Sequence, residues 1–235
     1  MPQQHGFPTV SRLFLLSILW FISAPVNVEA AAARHSRARA FIEASCRSTL
    51  YPTLCVKTLS NFADNLNQFQ AISPQQQLAQ LTLSVGLVKA QGTREFLSNT
   101  TTNMKGIMSH SGSLDLAYCL DQINDGVTQL GRSIQELRRL ATRRQRRRTG
   151  SIDSSDDPTW HISNIQTWLS AALTDANSCL DGFSGRGLGS NVKAAVKAKV
   201  LNVAQVTSNA LALFNHFAAM YRTTSTSTVA TKYKP

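Results

Sequence analysis

The sequence predicts an all-α fold, an antiparallel up-down four-helix bundle preceded by an N-terminal, disulfide-stapled helical hairpin. Four long segments repeat apolar residues at steps of three and four, which is the spacing of one helical face. Serine, aspartate, proline and glycine residues mark where these segments begin and end. No stretch alternates apolar and polar residues strongly enough to indicate a strand. We assign the hairpin to residues 34–66 and the bundle to residues 73–217.

Residues 1–30 are typical of a secretory signal peptide. Arg12 precedes an apolar run that ends near Ala24, and Val28 and Ala30 occupy the small-residue positions of a cleavage site. The run is shorter than the about 20 apolar residues that a membrane-spanning helix needs. We therefore expect a secreted protein of about 205 residues (235 minus 30) with no membrane segment after cleavage.

The predicted mature chain is strongly basic. Removing the signal takes away one Arg and one Glu, so 23 basic residues face 12 acidic ones and the net charge stays at +11. In a secreted protein, this excess points to extracellular polyanions or an acidic protein partner before nucleic acid.

Four cysteines in an oxidising compartment predict two disulfides, and the lack of a CxxC pair argues against a metal site. Cys46 and Cys55 would lie about 13.5 Å apart on one unbroken helix, beyond the roughly 7 Å that a disulfide spans. Pro52 supplies the turn that lets them pair. Antiparallel packing of the second and third long helices brings Cys119 and Cys179 together, so this pairing is the one that geometry favours.

The first long helix has a complete start signal. Ser73 is the cap, Pro74 occupies the first helical position, and Gln76 completes a capping box. We expect this helix to end near Asn103, with Gly106 and the SHSGS stretch as its exit. Asn99 lies in the only standard glycosylation sequon, and we predict that it is exposed.

The second long helix carries apolar residues from Leu116 to Ala141 in alternating steps of four and three, which favours nearly aligned helix packing. Seven arginines follow in residues 138–148, and we interpret them as part of the basic link to the third helix. The third helix begins at Pro158, after an aspartate cap, and ends at Gly182. A glycine-rich link leads to the fourth helix. Residues 222–235 are polar, and we predict a disordered tail.

Three motifs resemble the plant invertase and pectin methylesterase inhibitor family: CRSTLYPTLC, AYCLDQINDGVTQL and TWLSAALTDANSCLDGF. The resemblance covers roughly residues 38–217. It implies a four-helix bundle with an N-terminal hairpin, and cysteines paired first to second and third to fourth. It also implies an apoplastic, cell-wall inhibitor of pectin methylesterase, with acid invertase as the alternative target. The third motif is more similar to the methylesterase inhibitors, in which the bundle covers the substrate cleft of the enzyme in a reversible one-to-one complex.

Transferred to this chain, the resemblance places the contact surface on the polar faces of the second and third long helices. The predicted partner-binding residues are Gln122, Asp125, Gln129, Thr167, Ser170, Thr174 and Asp175. The arginine run departs from the family pattern. A solvated loop, a contact with de-esterified pectin and a proteolytic processing site are its three interpretations. The candidate polyanion-binding residues are Arg143, Arg144, Arg146, Arg147 and Arg148.

An enzymatic function has little support in the sequence. The four histidines after the signal are scattered, no GxSxG or HExxH motif occurs, and the glycines near residue 187 follow a helix rather than a strand. We therefore expect no catalytic residues and no cofactor. Nucleic-acid binding is the alternative from another class, because of the arginine run, but the signal peptide argues against it.

Overall fold

The computed structural model describes residues 29–66, 72–148 and 158–232, and the side chains of 64–65, 144–148 and 223–232 are outside the description. The described residues form helices and contain no strand, so the predicted all-α class is confirmed. None of these helices is both long and apolar enough to cross a membrane. The predicted signal peptide falls outside the described part of the chain except for residues 29 and 30.

The hairpin consists of α1 (residues 29–46), α2 (Pro52–Leu59) and a 3-10 helix (Ser60–Asn65). The bundle consists of α3 (Pro74–Asn103), α4 (His110–Arg148), α5 (Pro158–Gly182) and α6 (Ser190–Lys232). Each bundle helix packs against the helices before and after it, and α6 closes the ring against α3. The predicted up-down bundle is therefore the observed architecture.

Local signals explain the helix bounds. Ser73 Oγ accepts a hydrogen bond of 3.3 Å from Gln76 N, so the predicted cap of α3 is formed, with Pro74 at the first position. The helix ends at Asn103, as predicted, and Gly106 follows with a positive φ of 86°. Helix α5 begins and ends at the predicted residues, Pro158 and Gly182.

The bundle encloses one large apolar core. Its fully buried side chains come from all four long helices, with Leu83, Leu130, Ile165 and Phe214 as the central members. Dense apolar packing of this kind accounts for most of the stability of amphipathic helices that would be marginal alone.

The hairpin packs on the outside of α3 and α6 through a second, smaller core. Ile42 and Leu59 of the hairpin meet Leu213 of α6 in this cluster. The side chain of Asn209 also holds the hairpin turn, because it accepts from Tyr51 N at 3.1 Å and donates to Tyr51 O at 3.0 Å. A buried amide thus pairs Tyr51 N and gives a second donor to Tyr51 O, which also accepts from Cys55 N at 2.9 Å.

Three expectations differ from the structure. Val88 belongs to the predicted apolar stripe of α3 but is 65% exposed, because α3 buries one side in the bundle and another under the hairpin, and neither covers residue 88. The SHSGS stretch, predicted as an exit loop, forms the first turn of α4 from His110 onward. Helix α6 continues to Lys232, whereas a disordered tail is predicted from residue 222, because adding turns to a formed helix is far easier than starting one.

The candidate partner-binding face of helices α4 and α5

Helices α4 and α5 approach each other closely along their length. Near one end, the Cys119–Cys179 disulfide joins them with a Cα–Cα distance of 4.6 Å. Near the middle, a Cβ placed on Gly126 would lie 3.7 Å from Ala172 O, so small residues allow the backbones to come together. The predicted disulfide pairing is present, as is that of Cys46 with Cys55. The two helices therefore form a rigid, paired surface.

A buried contact between a carboxyl and an imidazole, not foreseen from the sequence, joins the other end of the same helix pair. Glu136 of α4 is 1% exposed and its Oε1 contacts Nδ1 of His161, which is 4% exposed, in α5. Glu136 Oε2 accepts a hydrogen bond of 2.9 Å from the Nη1 of Arg139. Burying a carboxylate requires such partners. The pair consequently fixes the register of α5 against α4.

The seven predicted partner-binding residues lie together on the outward side of this helix pair, which we call the α4–α5 face. Asp125, Thr167, Ser170 and Thr174 are exposed. Gln122, Gln129 and Asp175 are half-buried between the helices. The structure therefore brings these residues onto one surface. Their role in binding stays a prediction.

Most polar atoms of the α4–α5 face are acceptors. The hydroxyls of Thr167 and Thr174 donate to the carbonyl oxygens of Ser163 at 2.9 Å and Ser170 at 3.0 Å, within the helix. Their oxygen lone pairs remain directed outward. Among the described residues, Asp175 Oδ2 is also a buried oxygen to which no protein group donates. The face is therefore suited to a partner that supplies hydrogen-bond donors.

Two carboxylates face each other across the helix pair. Burial raises the pKa of the Asp175 carboxyl above its ordinary value of 3.8, and the charge of Asp125 raises this pKa further. Both effects disfavour the ionised form of Asp175. A cation beside the pair would favour the ionised form of Asp175 through its charge.

The α4–α5 face is acidic although the protein is basic. The sequence of α5 contains no Lys or Arg, and Arg132 is the only one in α4 before residue 138. Four aspartates lie along the outward side of the two helices: Asp121, Asp125, Asp175 and Asp181. Because charge asymmetry of this kind steers association, the face is suited to a basic rather than an acidic partner surface.

Sequence reasoning missed two exposed apolar residues on the same side of α4. Leu114 is 58% exposed and Tyr118 is 44% exposed. They precede Gln122 by eight and four residues, which is the spacing of one helical face. This spacing could have identified them, because Tyr118 falls outside the apolar stripe that forms the core.

The arginine run lies on a helix rather than in a link, which corrects the prediction. Helix α4 continues to Arg148, and Arg138 is exposed. Because Glu136 contacts His161, the first residue of α5 lies level with residue 139. The remaining nine residues extend α4 by about 13 Å past the start of α5. Arginine is a good helix former and its charge is favourable at a helix C-terminus, which explains the extension.

The predicted glycosylation site lies on α3. Asn99 is exposed, four residues before the end of α3, and lines a groove with Asp121 and Asn124 of α4. Its predicted exposure is therefore confirmed. Whether a glycan is attached stays a prediction.

Known proteins are similar to this chain in sequence and in fold. The sequence profile described as "Plant invertase/pectin methylesterase inhibitor" matches residues 40–213. Pectinesterase inhibitor 9 of Arabidopsis thaliana is 38% identical over 210 residues, which cover 89% of this chain and 94% of the relative. Pectinesterase inhibitor 11 of the same plant is 38% identical over 213 residues, covering 89% and 95%.

A relative from another plant and a solved structure agree with this result. The 21 kDa protein of Daucus carota is 36% identical over 192 residues, covering 82% of this chain and 91% of the relative. The crystal structure of a mutant form of a pectin methylesterase inhibitor from Arabidopsis superposes with a TM-score of 0.51 at 20% identity, covering 72% of this chain and 92% of that one. The chain therefore belongs to the plant invertase/pectin methylesterase inhibitor family, which is a family of inhibitors rather than enzymes.

Proposed function

We propose that this protein is a secreted inhibitor of pectin methylesterase in the plant cell wall, and that it covers the active-site cleft of the enzyme with the α4–α5 face. The complex is reversible and one-to-one, and its effect is to limit pectin de-esterification. The observation that carries the proposal is the α4–α5 face itself, a rigid surface of small polar and acidic side chains on two linked helices. Relatives named pectinesterase inhibitors at 38% identity support the target.

The architecture suits inhibition by occlusion. A steric inhibitor performs no chemistry, so its affinity depends on a surface that is already in its bound shape and loses little entropy on association. The Cys119–Cys179 disulfide and the buried Glu136 provide this rigidity at the two ends of the face. The small side chains of Thr167 and Ser170 let a partner approach the helix backbone closely.

The test introduces bulk and charge into the face. The T167R/S170R variant should lose inhibition of a purified plant pectin methylesterase while it keeps the helical circular dichroism and melting temperature of the wild type, because both sites are exposed. A matched control, A194R/A198R, adds the same two charges to exposed positions of α6. Full inhibition by T167R/S170R, or equal loss in both variants, would place the contact elsewhere.

The alternative target is acid invertase, which the family description also names. A side-by-side titration of the purified protein against a pectin methylesterase and an acid invertase decides between them. We expect inhibition of the methylesterase. Inhibition of invertase alone would contradict the proposal.

A second, electrostatic contact is favoured by the extension of α4. Helix α4 carries seven arginines in residues 138–148 and continues past the start of α5. We assign this contact to the carboxylates of de-esterified pectin, which would concentrate the inhibitor near its target. Replacing Arg143, Arg144, Arg146, Arg147 and Arg148 by Gln should reduce retention on polygalacturonate and its salt dependence. Unchanged retention would leave the arginines without this role.

A further inference from the structure

We propose that Leu114 and Tyr118 form an apolar anchor at one end of the α4–α5 face, and that this anchor inserts into an apolar recess of the target enzyme that is flanked by Lys or Arg side chains. The proposal rests on the proposed function, because it deepens the description of the same face. Leu114 and Tyr118 would then contribute to binding in addition to the seven polar residues predicted from the sequence.

The exposure of the two residues is unusual for their type. Leu114 is 58% and Tyr118 44% exposed, although a buried position for either would stabilise the fold. They are four residues apart on α4, so their side chains lie next to each other on one helical face. The same face continues to Gln122, Asp125 and Gln129 at further helical steps. The apolar pair is therefore continuous with the polar part of the α4–α5 face.

The tyrosine ring lies against the end of helix α5 in the free protein. A Cβ placed on Gly182 would lie 2.8 Å from Tyr118 Cε1 and 3.3 Å from its Cδ1, so the ring rests directly against the last residue of α5. A side chain at residue 182 would require the ring to move. A side chain that is already ordered loses little rotamer entropy on association, and tyrosine is among the residues that contribute most at interfaces.

The loop beside the anchor is also fixed. Asp115 Oδ2 accepts hydrogen bonds from Ser184 Oγ at 2.6 Å and from Gly185 N at 2.8 Å, which ties the α5–α6 loop to the start of α4. Gly187 has a φ of 73° and approaches Ser109 so closely that a Cβ there would collide with its Oγ. The anchor therefore stands on a rigid end of the bundle.

The charges around the anchor define the partner surface. Asp121, Asp125 and Asp181 are exposed on the α4 and α5 side of the anchor, where α5 contributes no Lys or Arg, and Arg186 is exposed in the α5–α6 loop beside it. An apolar centre with a charged rim is the usual arrangement of a protein interface. Complementarity then requires an apolar recess with basic residues around it.

The central experiment compares three single variants for inhibition of a pectin methylesterase that the wild type inhibits. Y118A should raise the inhibition constant by about 30-fold, the size expected for loss of a tyrosine that dominates an interface. Y118F keeps the ring and should stay within about 3-fold of the wild type. L201A removes another exposed apolar side chain, which is 45% exposed on α6, and should leave the inhibition constant unchanged. Equal inhibition by Y118A and the wild type would overturn the anchor.

A second measurement does not depend on the folding of any variant. Tyr118 of the wild-type protein should react with tetranitromethane when the protein is free and be protected in the complex, with the modified peptide identified by mass spectrometry. Reaction at the same rate in both states would also overturn the proposal. Failure of the wild type to inhibit would instead refute the proposed function, so the two failures are distinguishable.

Discussion

Removal of the Cys119–Cys179 disulfide should destabilise the protein more than removal of Cys46–Cys55. The first bond joins residues 60 positions apart and the second joins residues 9 positions apart. In the loop-entropy description, the restraint on the unfolded chain is worth about 4 kcal/mol for the longer loop and about 2.5 kcal/mol for the shorter one. At roughly 2–4 °C per kcal/mol for a chain of this size, C119A/C179A should melt on the order of 10 °C below the wild type, and C46A/C55A on the order of 7 °C below it.

Alanine is the suitable replacement because all four cysteines are at most 2% exposed and serine would bury an unsatisfied hydroxyl. The assay is thermal unfolding followed by circular dichroism at one scan rate, with reduced wild type as the control that lacks both bonds. Equal melting temperatures for the two double variants, or a lower one for C46A/C55A, would refute the loop-entropy argument. That outcome would show instead that the hairpin core depends on its own disulfide.

Three further predictions concern buried or half-buried polar groups. E136A should lower the free energy of unfolding by about 3–5 kcal/mol, because it leaves the buried His161 without its carboxyl partner. The measurement is unfolding in denaturant. A loss below about 1 kcal/mol would mean that the pair contributes no more to stability than an exposed ion pair does. D175N should be more stable than the wild type at pH 7 but equal to it below pH 3.8. The reason is that burial and the charge of Asp125 raise the pKa of Asp175, so the ionised form opposes folding as the pH rises. A stability difference between the two proteins that is the same at pH 3 and pH 7 would contradict this direction. N209A should speed proteolysis of the hairpin while leaving the bundle intact, because only the hairpin turn depends on that amide; uniform protection in limited proteolysis would show that the amide is dispensable.

Predictions that depended on local chemistry were accurate. The bounds of α3 and α5 follow from Ser73, Pro74, Pro158 and Gly182, whose effects act within one helical turn. The pairing of Cys46 with Cys55 follows from the turn at Pro52, and that of Cys119 with Cys179 from the antiparallel direction of neighbouring helices. In each case the determining residues lie near the feature they determine.

Predictions that depended on neighbouring elements were less accurate. Helical periodicity assigns Val88 to a core because it cannot tell where the hairpin ends along α3. It gives no indication that Glu136 and His161, 25 residues apart, would be buried together. The arginine run was interpreted as a loop because its charge suggested solvation, although its intrinsic helix propensity predicted the observed continuation of α4.

The candidate site combines both kinds of information. Its polar residues could be placed from the sequence because they occupy the side of α4 and α5 opposite the apolar stripe. Its apolar residues could be identified by their helical spacing from Gln122, but the contact of the Tyr118 ring with Gly182, 64 residues later in the chain, could not. The disulfide, the Asp115 hydrogen bonds and the contact of the ring with Gly182 all meet at this end of the bundle. An inhibitor that acts by occlusion gains affinity where its surface is already ordered, so we expect the exposed ring of Tyr118 to contribute strongly to binding at this cross-linked end of the bundle.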